Sequence, residues 1–371
     1  MPLQHLKYLI ALTKVRGIGL RTAHRLLEVY GDNIQEVFLS DLRDVEERAQ
    51  ITLRNINFKD PACLEQAARE VEFIVKHKLR AMVYGTADYP SHLLECPDAP
   101  LVLYAMGNGD FNAKKRYVSV VGTRTPTSYG KDMCRMLVSE LAQMVPDIVV
   151  VSGLAYGIDV TAHRAALDAG VPTYGVLGHG LDRIYPSVHR DTAKKMLEQG
   201  ALLTEYASGT KPEGPNFVQR DRIIAGLADV VIVVESKAKG GSLITAHYAL
   251  EYNRDVMAVP GRINDTASAG CNQLIKRNVA ALVESAQDIV NAMQWDAMQP
   301  KQLALFPELT EQEQQIVKVL EQYPDGLQVN DIVPLVSMPF HKISAMLFDL
   351  EDKNVVAIAP GSVYRLLTSR S

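Results

Sequence analysis

The amino-acid sequence predicts a doubly wound α/β domain with a parallel sheet, flanked by a helical N-terminal domain and a C-terminal winged helix. Three observations support this prediction. Short runs rich in Val and Ile alternate with amphipathic segments in the middle of the chain, which is typical of strands buried on both faces of a parallel sheet. The pattern from Leu3 to about Leu79 is helical. The last part of the chain has three helical segments followed by a hairpin pattern.

The length of 371 residues indicates two or three domains, since single domains usually hold about 100 to 200 residues. The stretch NAMQWDAMQPKQLALFPEL has no sustained periodicity and contains two prolines, so we interpret it as containing a linker. We place a helix-hairpin-helix or SAM-like domain at residues 1–85, an extended Rossmann-like domain at 86–297, the linker at 298–309 and the winged-helix domain at 310–371.

The N-terminal domain contains a glycine turn flanked by arginines in the segment TKVRGIGLRTAHRLLEVYG. Gly17 and Gly19 form the Gly-Ile-Gly turn of a helix-hairpin-helix, whose backbone N–H groups can bind a phosphate. Arg16 and Arg21 flank this turn, and residues 1–27 contain no Asp or Glu. That charge pattern favours DNA contact. The alternative is a helix-helix connection that needs glycine only for a tight turn.

Seven runs predict the strands of the central sheet: YVSVVG, DIVVVSG, PTYGVLG, ALLTEY, DVVIVVES, DVMAVPG and AALVES. The segments KDMCRMLVSELAQM, VTAHRAALDAG and SLITAHYALEYN predict helices between them. In such sheets ligands bind at the carboxyl ends of the strands. Five of these ends carry glycine-rich turns, in which backbone N–H groups and helix N-termini can meet an anion. The sequence therefore predicts a phosphate-bearing ligand at this edge.

The turns do not match the common nucleotide motifs. The chain has no Gly-x-x-x-x-Gly-Lys-Ser/Thr loop, and GVLGHG is not a Gly-x-Gly-x-x-Gly fingerprint. Long basic side chains are present instead, namely those of Arg124, Arg183, Arg220, Arg222 and Lys239. Such side chains beside backbone N–H groups suit the phosphates of a nucleic-acid backbone better than a small buried cofactor. We therefore expect no cofactor.

Composition excludes several other classes of protein. A hydrophobic content of 47% with 22% charged residues is typical of a globular protein in water. Cys63, Cys96, Cys134 and Cys271 are scattered, which argues against a zinc site and a disulfide framework. We expect them to be buried. No apolar run approaches the roughly 18 residues of a membrane span, so we expect a cytoplasmic protein without membrane contact.

The C-terminal winged helix differs in charge from the N-terminal domain. Its candidate recognition helix begins with His341 and Lys342 but continues into Asp349, Glu351 and Asp352. These carboxylates would repel the phosphates of a duplex. We expect this domain to contact protein or to stabilise a dimer.

Six motifs in order resemble the DprA family (DNA-processing protein A, or Smf): VVGTRTPTSYG, SGLAYGIDVTAH, GVLGHGLDRIYP, NFVQRDRIIAGLADVVIVVES, GGSLITAHYALEYNRDVMAVPG and GCNQLI. The resemblance covers about residues 86–285, and the flanking domains match only by type. It implies a dimeric protein that is not an enzyme, that binds and protects incoming single-stranded DNA, and that loads RecA recombinase onto it during natural transformation. One departure is His189, which stands where the family often has asparagine after Tyr-Pro.

The resemblance also implies which residues contact DNA. Arg124 would hold a phosphate beside the first strand-to-helix turn, where a helix N-terminus adds partial positive charge. Glycines at the first two turns would keep the backbone open for the strand. The expected set is Gly122, Arg124, Ser152, Gly153, Gly157, Arg183, Arg220, Arg222, Lys239, Gly241 and Ser242.

Some residues have two interpretations. Asp159 and His163, four residues apart, could serve acid/base chemistry, but Asp159 is better explained as a helix-dipole partner in a first turn. Arg220 and Arg222 could each reach DNA or pair with a carboxylate.

Aromatic side chains offer a further kind of contact. His179 and Tyr185 could stack on a base. Because aromatic residues make up only 6% of the chain, we expect affinity to come mainly from phosphate contacts.

A second function class remains open, a nucleotide-binding enzyme of the lysine decarboxylase-like phosphoribohydrolase class. Those enzymes carry Pro-Gly-Gly-x-Gly-Thr-x-x-Glu, which supplies the catalytic glutamate. The comparable stretch here, AKGGSLITAHYALE, has no glutamate beside the glycine pair. We therefore assign no catalytic residue and no metal ligand.

Overall fold

The structure is a computed structural model that divides into two compact units, Met1–Met298 and Gln299–Ser371. The described residues are 2–295, 309–323, 326–336, 338–353, 355–359 and 362–366. Apart from Leu309, the predicted linker lies outside them.

The N-terminal part of the first unit is helical, as predicted. Its helices are α1 (Leu3–Leu12), α2 (Leu20–Tyr30), α3 (Glu36–Leu39), α4 (Leu42–Ala49) and α5 (Pro61–His77), with a 3-10 turn at Gly31–Asn33. Helix α5 begins where Asp60 accepts a hydrogen bond from the N–H of Ala62, with proline at the first helical position, a common helix start. Leu9, Ile10 and Leu26 are fully buried in the core that these helices share.

One nine-stranded sheet follows, in the order β1-β2-β6-β5-β4-β3-β7-β8-β9. Its strands are β1 (Arg80–Val83), β2 (Val102–Gly107), β3 (Arg116–Val121), β4 (Ile148–Ser152), β5 (Thr173–Val176), β6 (Ala201–Thr204), β7 (Val230–Val233), β8 (Asp255–Ala258) and β9 (Ala281–Leu282). All seven predicted strands are confirmed and run parallel. β1 and β2 were not predicted, and they add an antiparallel edge.

Helices cover both faces of this sheet. They are α6 (Ser91–Leu94), α7 (Ser128–Met144), α8 (Ile158–Asp168), α9 (Arg190–Gln199), α10 (Gly214–Leu227), α11 (Ser242–Glu251), α12 (Ala269–Lys276) and α13 (Ala286–Ala292), with a 3-10 turn at Ser187–His189. α7, α8 and α13 share one core with the sheet, and α10, α11 and α12 share another. The strand order reverses at β3, between β4 and β7, and a ligand cleft is expected at such a switch point.

The second unit contains the three helices and the hairpin predicted for it. Its elements are α14 (Glu311–Glu321), β10 (Leu327–Gln328), α15 (Val329–Val336), α16 (Phe340–Asp352), β11 (Val356–Ala359) and β12 (Val363–Leu366). Thr310 and Glu313 form a capping box at the start of α14. β10 was not predicted, and it joins an antiparallel sheet in the order β10-β12-β11. Ile316, Ile332 and Ile343 lie in the core of this unit.

Within the described residues, no helix combines the length and apolar character that crossing a membrane requires.

Candidate functional site

A cleft of about 580 Å³ lies at the carboxyl ends of the central strands. Its walls come from the turns after β3 and β7 and from the beginnings of α8, α10 and α11. This is the switch point of the strand order, so the chain topology explains why the cleft is there.

The structure places the eleven expected site residues in three groups. Six line the cleft: Gly122, Arg124, Arg220, Lys239, Gly241 and Ser242. Ser152, Gly153 and Gly157 lie beneath or beside it and shape the turns. Arg183 and Arg222 do not line it.

The turn after β3 does not match the expectation that a helix N-terminus adds positive charge beside Arg124. The N-terminus of α7 is already occupied by a carboxylate. Glu235 is fully buried, and it accepts hydrogen bonds from the Thr127 N–H at 2.8 Å and the Thr127 hydroxyl at 2.7 Å. A β-carbon on Gly130 would lie 2.6 Å from Oε2 of Glu235, so glycine is needed there. This helix N-terminus therefore does not offer its positive end to a phosphate beside Arg124.

The turn after β4 is also occupied by a carboxylate. Oδ2 of Asp159, in the first turn of α8, accepts hydrogen bonds from the N–H groups of Gly153 and Ala155. Asp159 is thus the helix-start partner that the sequence favoured. His163 is fully buried between the Leu154 N–H and the Thr173 hydroxyl, and burial lowers its pKa to about 3. A neutral histidine held in the core does not support the acid/base alternative.

The turn after β7 leaves the N-terminus of the following helix, α11, open. α11 begins after Gly241, which supplies no side-chain cap and has open space where a β-carbon would stand. Lys237 and Lys239 are exposed on the turn that leads to it. The Ser242 hydroxyl is engaged inside the protein, where it donates to the Ser236 hydroxyl. Backbone N–H groups at an uncapped helix start beside two lysines form a site suited to an anion.

Arg124 lines the same cleft as this open helix start. Its side chain is exposed, and its guanidinium carbon lies 5.5 Å from the ring centroid of Phe217. Among the described residues it makes no ion pair within 4 Å, so its charge is available to a ligand. In particular, Arg124 forms no ion pair with Asp159, the carboxylate in the first turn of α8.

Arg220 lines the cleft but is only 3% exposed. Its Nη1 donates to the carbonyl oxygens of Gly153 and Val176, at the ends of β4 and β5, and its Nε lies 3.2 Å from Asp221. The guanidinium thus fastens two strand ends together. Of the two interpretations of Arg220, the structure places it in the carboxylate pair.

Arg222 has an internal role, which corrects its assignment as a DNA contact. Two residues along a helix turn a side chain to the opposite face, and Arg222 is buried where its Nη2 donates to Glu205. Its Nε lies 4.0 Å from Asp98, a carboxylate that also accepts from the Tyr252 hydroxyl. A buried and paired guanidinium cannot reach a strand in the cleft.

Ser152 and Arg183 also differ from expectation. Ser152 is fully buried, and its hydroxyl donates to the Val120 carbonyl at 2.6 Å, so it joins β4 to β3 instead of facing a ligand. Arg183 pairs with its neighbour Asp182 at 2.6 Å on the surface outside the cleft. Asp182 also accepts from the Gly209 N–H, which holds this pair against the loop after β6.

Two aromatic side chains stand in the cleft, and one of them was not predicted. Tyr185 is 47% exposed, and its ring centroid lies 5.8 Å from that of Phe217. Phe217 belongs to the segment NFVQRDRII, of which only the two arginines were predicted to contact DNA. His179 is 1% exposed, so burial excludes it as the stacking residue that we expected.

Asp221 is a cleft carboxylate with an unusual pKa. Burial raises its pKa from 3.8 to about 6, against the opposing effect of Arg220 and with a further increase from the charge of Asp159. Burial also raises the pKa of Asp159. The cleft therefore holds two carboxyl groups whose charge is costly, one of which titrates near neutral pH.

The N-terminal motif has the expected turn. Gly17 has φ +90°, a conformation that glycine adopts readily, and Gly19 precedes the first residue of α2 without a side-chain cap. Arg16 and Arg21 are exposed beside the turn. This geometry is compatible with both interpretations of the motif.

Metal and thiol chemistry have no visible site in the part of the chain that the structure describes. No group of three or more metal-binding side chains occurs there. The four cysteines are free and buried, as predicted, and burial raises the pKa of Cys134 to about 12.

Comparison with known proteins places the chain in a family. The family model for DNA recombination-mediator protein A matches residues 80–294. The DNA processing protein DprA of Bacillus subtilis is 43% identical over 205 residues, which is 55% of this chain and 68% of that protein.

Two solved structures are similar to the fold. DNA processing protein A from Streptococcus pneumoniae superposes with a TM-score of 0.64 at 35% identity and covers 77% of this chain and 97% of its own. DNA processing protein A from Helicobacter pylori, solved for its single-stranded DNA binding mode, gives a TM-score of 0.53 at 29% identity over 59% of this chain and 97% of its own. The chain described here therefore belongs to the DNA recombination-mediator protein A family, as its motifs predicted.

Proposed function

We propose that this protein binds single-stranded DNA in the cleft and acts in the cytoplasm as a homodimeric recombination mediator, which protects incoming strands and loads RecA recombinase onto them during natural transformation. Family membership and the single-stranded DNA binding of the Helicobacter pylori relative support the general function. The finer steps rest on the family resemblance and on the chemistry of the cleft.

One observation carries the proposal: of the helix starts after β3, β4 and β7, only that of α11 has no carboxylate partner among the described residues. Glu235 and Asp159 occupy the other two. A strand phosphate would therefore bind at Gly241, with Lys237, Lys239 and Arg124 around it.

The bases would be held by stacking instead of base-specific hydrogen bonds. Tyr185 and Phe217 present aromatic surface in the same cleft, and Arg124 lies over the Phe217 ring. Stacking on aromatic side chains tolerates any base, whereas phosphate contacts supply most of the affinity. This arrangement favours a flexible single strand, whose bases are free to turn toward the protein.

Competition between a labelled oligo(dT) and a duplex of the same length, at several salt concentrations, tests this function. We expect the single strand to bind more tightly and the logarithm of the affinity to fall linearly with the logarithm of salt concentration. A preference for the duplex at equal length would contradict the proposal. RecA loading is tested by following filament assembly on oligo(dT) already covered by a single-strand binding protein, with and without this chain.

We include the N-terminal turn at Gly17 and Gly19 as a secondary DNA contact, supported by the exposed Arg16 and Arg21. Replacing Arg16 and Arg21 together by glutamine should weaken the binding of long strands more than that of short ones. Equal weakening of binding at every length would exclude a second contact.

We assign the second unit a protein-contact or dimer-stabilising role, because acidic residues follow the basic start of α16.

The phosphoribohydrolase alternative has less support. The cleft carboxylate of Asp159 is held by two backbone N–H groups, and Asp221 lies against Arg220. Release of adenine from AMP, followed by chromatography, is the direct test, and we expect none.

A further inference from the structure

A second groove, of about 450 Å³, begins where the cleft ends. It is lined by Arg124, Thr125, Pro126, Lys131, Tyr156 and Gly157. Arg124 borders both the groove and the cleft. The two depressions are therefore neighbours on the same surface, with this arginine between them.

Tyr156 is the aromatic residue of the groove, and the surrounding protein supports its ring. The ring meets that of His189 edge-on, with 5.1 Å between centroids and an interplanar angle of 69°. His189 is buried, and its Nδ1 lies 2.9 Å from the Leu154 carbonyl oxygen. Tyr156 itself remains 50% exposed, so a braced ring still has free surface for stacking.

Close backbone packing fixes this tyrosine beside Arg124. Gly157 has φ +83°, and a β-carbon there would lie 2.2 Å from the Thr123 carbonyl oxygen. Only glycine permits the loop that carries Tyr156 to approach the turn that carries Arg124. The backbone next to Tyr156 thus packs directly against the backbone of Arg124.

The charge of the groove is positive. None of its six lining residues is acidic. Asp132, which follows Lys131 on α7, forms an ion pair with Arg135 at 2.7 Å. Among the described residues, Lys131 makes no ion pair within 4 Å, so the groove offers an unpaired lysine and an unpaired arginine together with an aromatic ring.

We propose that a single strand bound in the cleft continues past Arg124 into this groove, where one base stacks on Tyr156 and the adjoining phosphate lies near Lys131. The inference rests on the proposed function and extends it, because it adds a second set of contacts and a direction of exit. The combination of one ring with flanking cations fits single-stranded nucleic acid of any sequence.

Fluorescence anisotropy with a length series of labelled oligo(dT) tests this route. Tyr156→Ala should weaken binding of long oligonucleotides by about fivefold to 150-fold, the range found for loss of one stacking contact. Oligonucleotides too short to leave the cleft should bind as they do to the parent protein. Lys131→Gln should lower the salt slope of the long oligonucleotides by about one ion.

Abasic substitution gives a sharper test of stacking. A single abasic position moved along a long oligo(dT) should weaken binding to the parent protein at the position that faces Tyr156. With Tyr156→Ala the same abasic position should have no further effect, because the partner is already gone. Independent, additive losses would overturn the stacking contact.

Two control variants separate stacking from folding. Tyr156→Phe keeps the ring and should bind long strands as the parent does. Tyr129→Ala removes a tyrosine of similar exposure, 43%, that lies outside this groove, and it should leave binding unchanged. Circular dichroism and melting temperature establish that each variant is folded.

Failure of this inference differs from failure of the proposed function. If the parent protein binds oligo(dT) and Arg124→Ala weakens that binding, but folded Tyr156→Ala and Lys131→Gln bind all lengths like the parent, the groove is not part of the route. If the parent protein does not bind oligo(dT), the proposed function itself is wrong.

Discussion

The guanidinium of Arg220 lies directly against the backbone of Gly153, so that a β-carbon at position 153 would be 2.0 Å from Nη1. The same guanidinium donates to the Gly153 carbonyl oxygen at 2.7 Å. This contact between a buried charge and a glycine links the ends of β4 and β5 and forms the floor of the cleft.

Gly153→Ala should therefore destabilise the fold. The new methyl group would displace Arg220 from its carbonyl partners and also crowd Oδ2 of Asp159, 2.6 Å away. We expect a loss of about 1 to 3 kcal/mol in the free energy of unfolding, measured by urea denaturation. Gly241→Ala is the matched control, since nothing lies within 4 Å of its added carbon. Equal stability of the two variants would contradict the role of Arg220 as a clamp.

Arg124→Ala should weaken the binding of single-stranded DNA of any sequence by about tenfold or more and reduce the salt slope by about one ion. It should leave the melting temperature unchanged. The reason is that Arg124 is exposed and its charge is not engaged by a carboxylate among the described residues. Arg124→Lys should restore only part of the affinity, because lysine lacks the planar fork. Arg135→Ala removes an arginine already paired with Asp132 and serves as control. A variant that melts lower yet binds like the parent would refute the phosphate contact.

Binding should strengthen about threefold to tenfold when the pH falls from about 7.5 to about 5.5, because Asp221 loses its charge as the pH passes its pKa of about 6. Asp221→Asn should bind at the higher pH as the parent does at the lower, and it should lose most of this dependence. His163 stays neutral throughout, as its pKa is about 3. Anisotropy titrations at constant ionic strength measure the effect. If Asp221→Asn keeps the pH dependence of the parent protein, another group causes that dependence.

The same residue predicts a pH effect on stability. Its pKa is higher in the folded chain than its ordinary 3.8, so folding favours the protonated form. The stabilisation is complete below about pH 4 and is lost as the pH rises through about 6. Urea denaturation of the parent should show this loss, and Asp221→Asn should show a smaller one.

Dimerisation should survive removal of residues 300–371. The first compact unit contains the nine-stranded sheet and its helices, whereas the second is small. Light scattering of the truncated chain gives its mass directly, with the full chain at the same concentration as reference. A monomeric truncated chain would transfer the dimer contact to the second unit.

The inner strands β3, β4, β5 and β7 were predictable because their apolar runs are buried on both faces of the sheet. β1 and β2 escaped prediction since they form the antiparallel edge, away from the alternating strands and helices. The glycine-rich turns correctly indicated the edge of the sheet that carries the cleft. Local patterns are sufficient for these features because they arise within a few residues.

The partners of charged side chains were harder to predict from the sequence. Arg220 and Arg222 look equivalent in the sequence, yet one lies under the cleft and the other meets Glu205 inside the protein. Glu235 is separated from Thr127 by 108 residues, and only the folded sheet brings them together. Periodicity indicates which face of an element is buried. It does not indicate which distant carboxylate will bind a given arginine or helix N-terminus.

The contact between Gly130 and Glu235 has a consequence for any attempt to alter this protein. A side chain at position 130 would collide with the carboxylate, and a shorter residue at position 235 would leave the Thr127 donors without their acceptor. Each substitution alone should lower stability, because one displaces the Glu235 carboxylate and the other removes the acceptor of the Thr127 donors. The effects of changes at these two positions should therefore not be additive, and variants of the pair have to be made together to find compatible combinations.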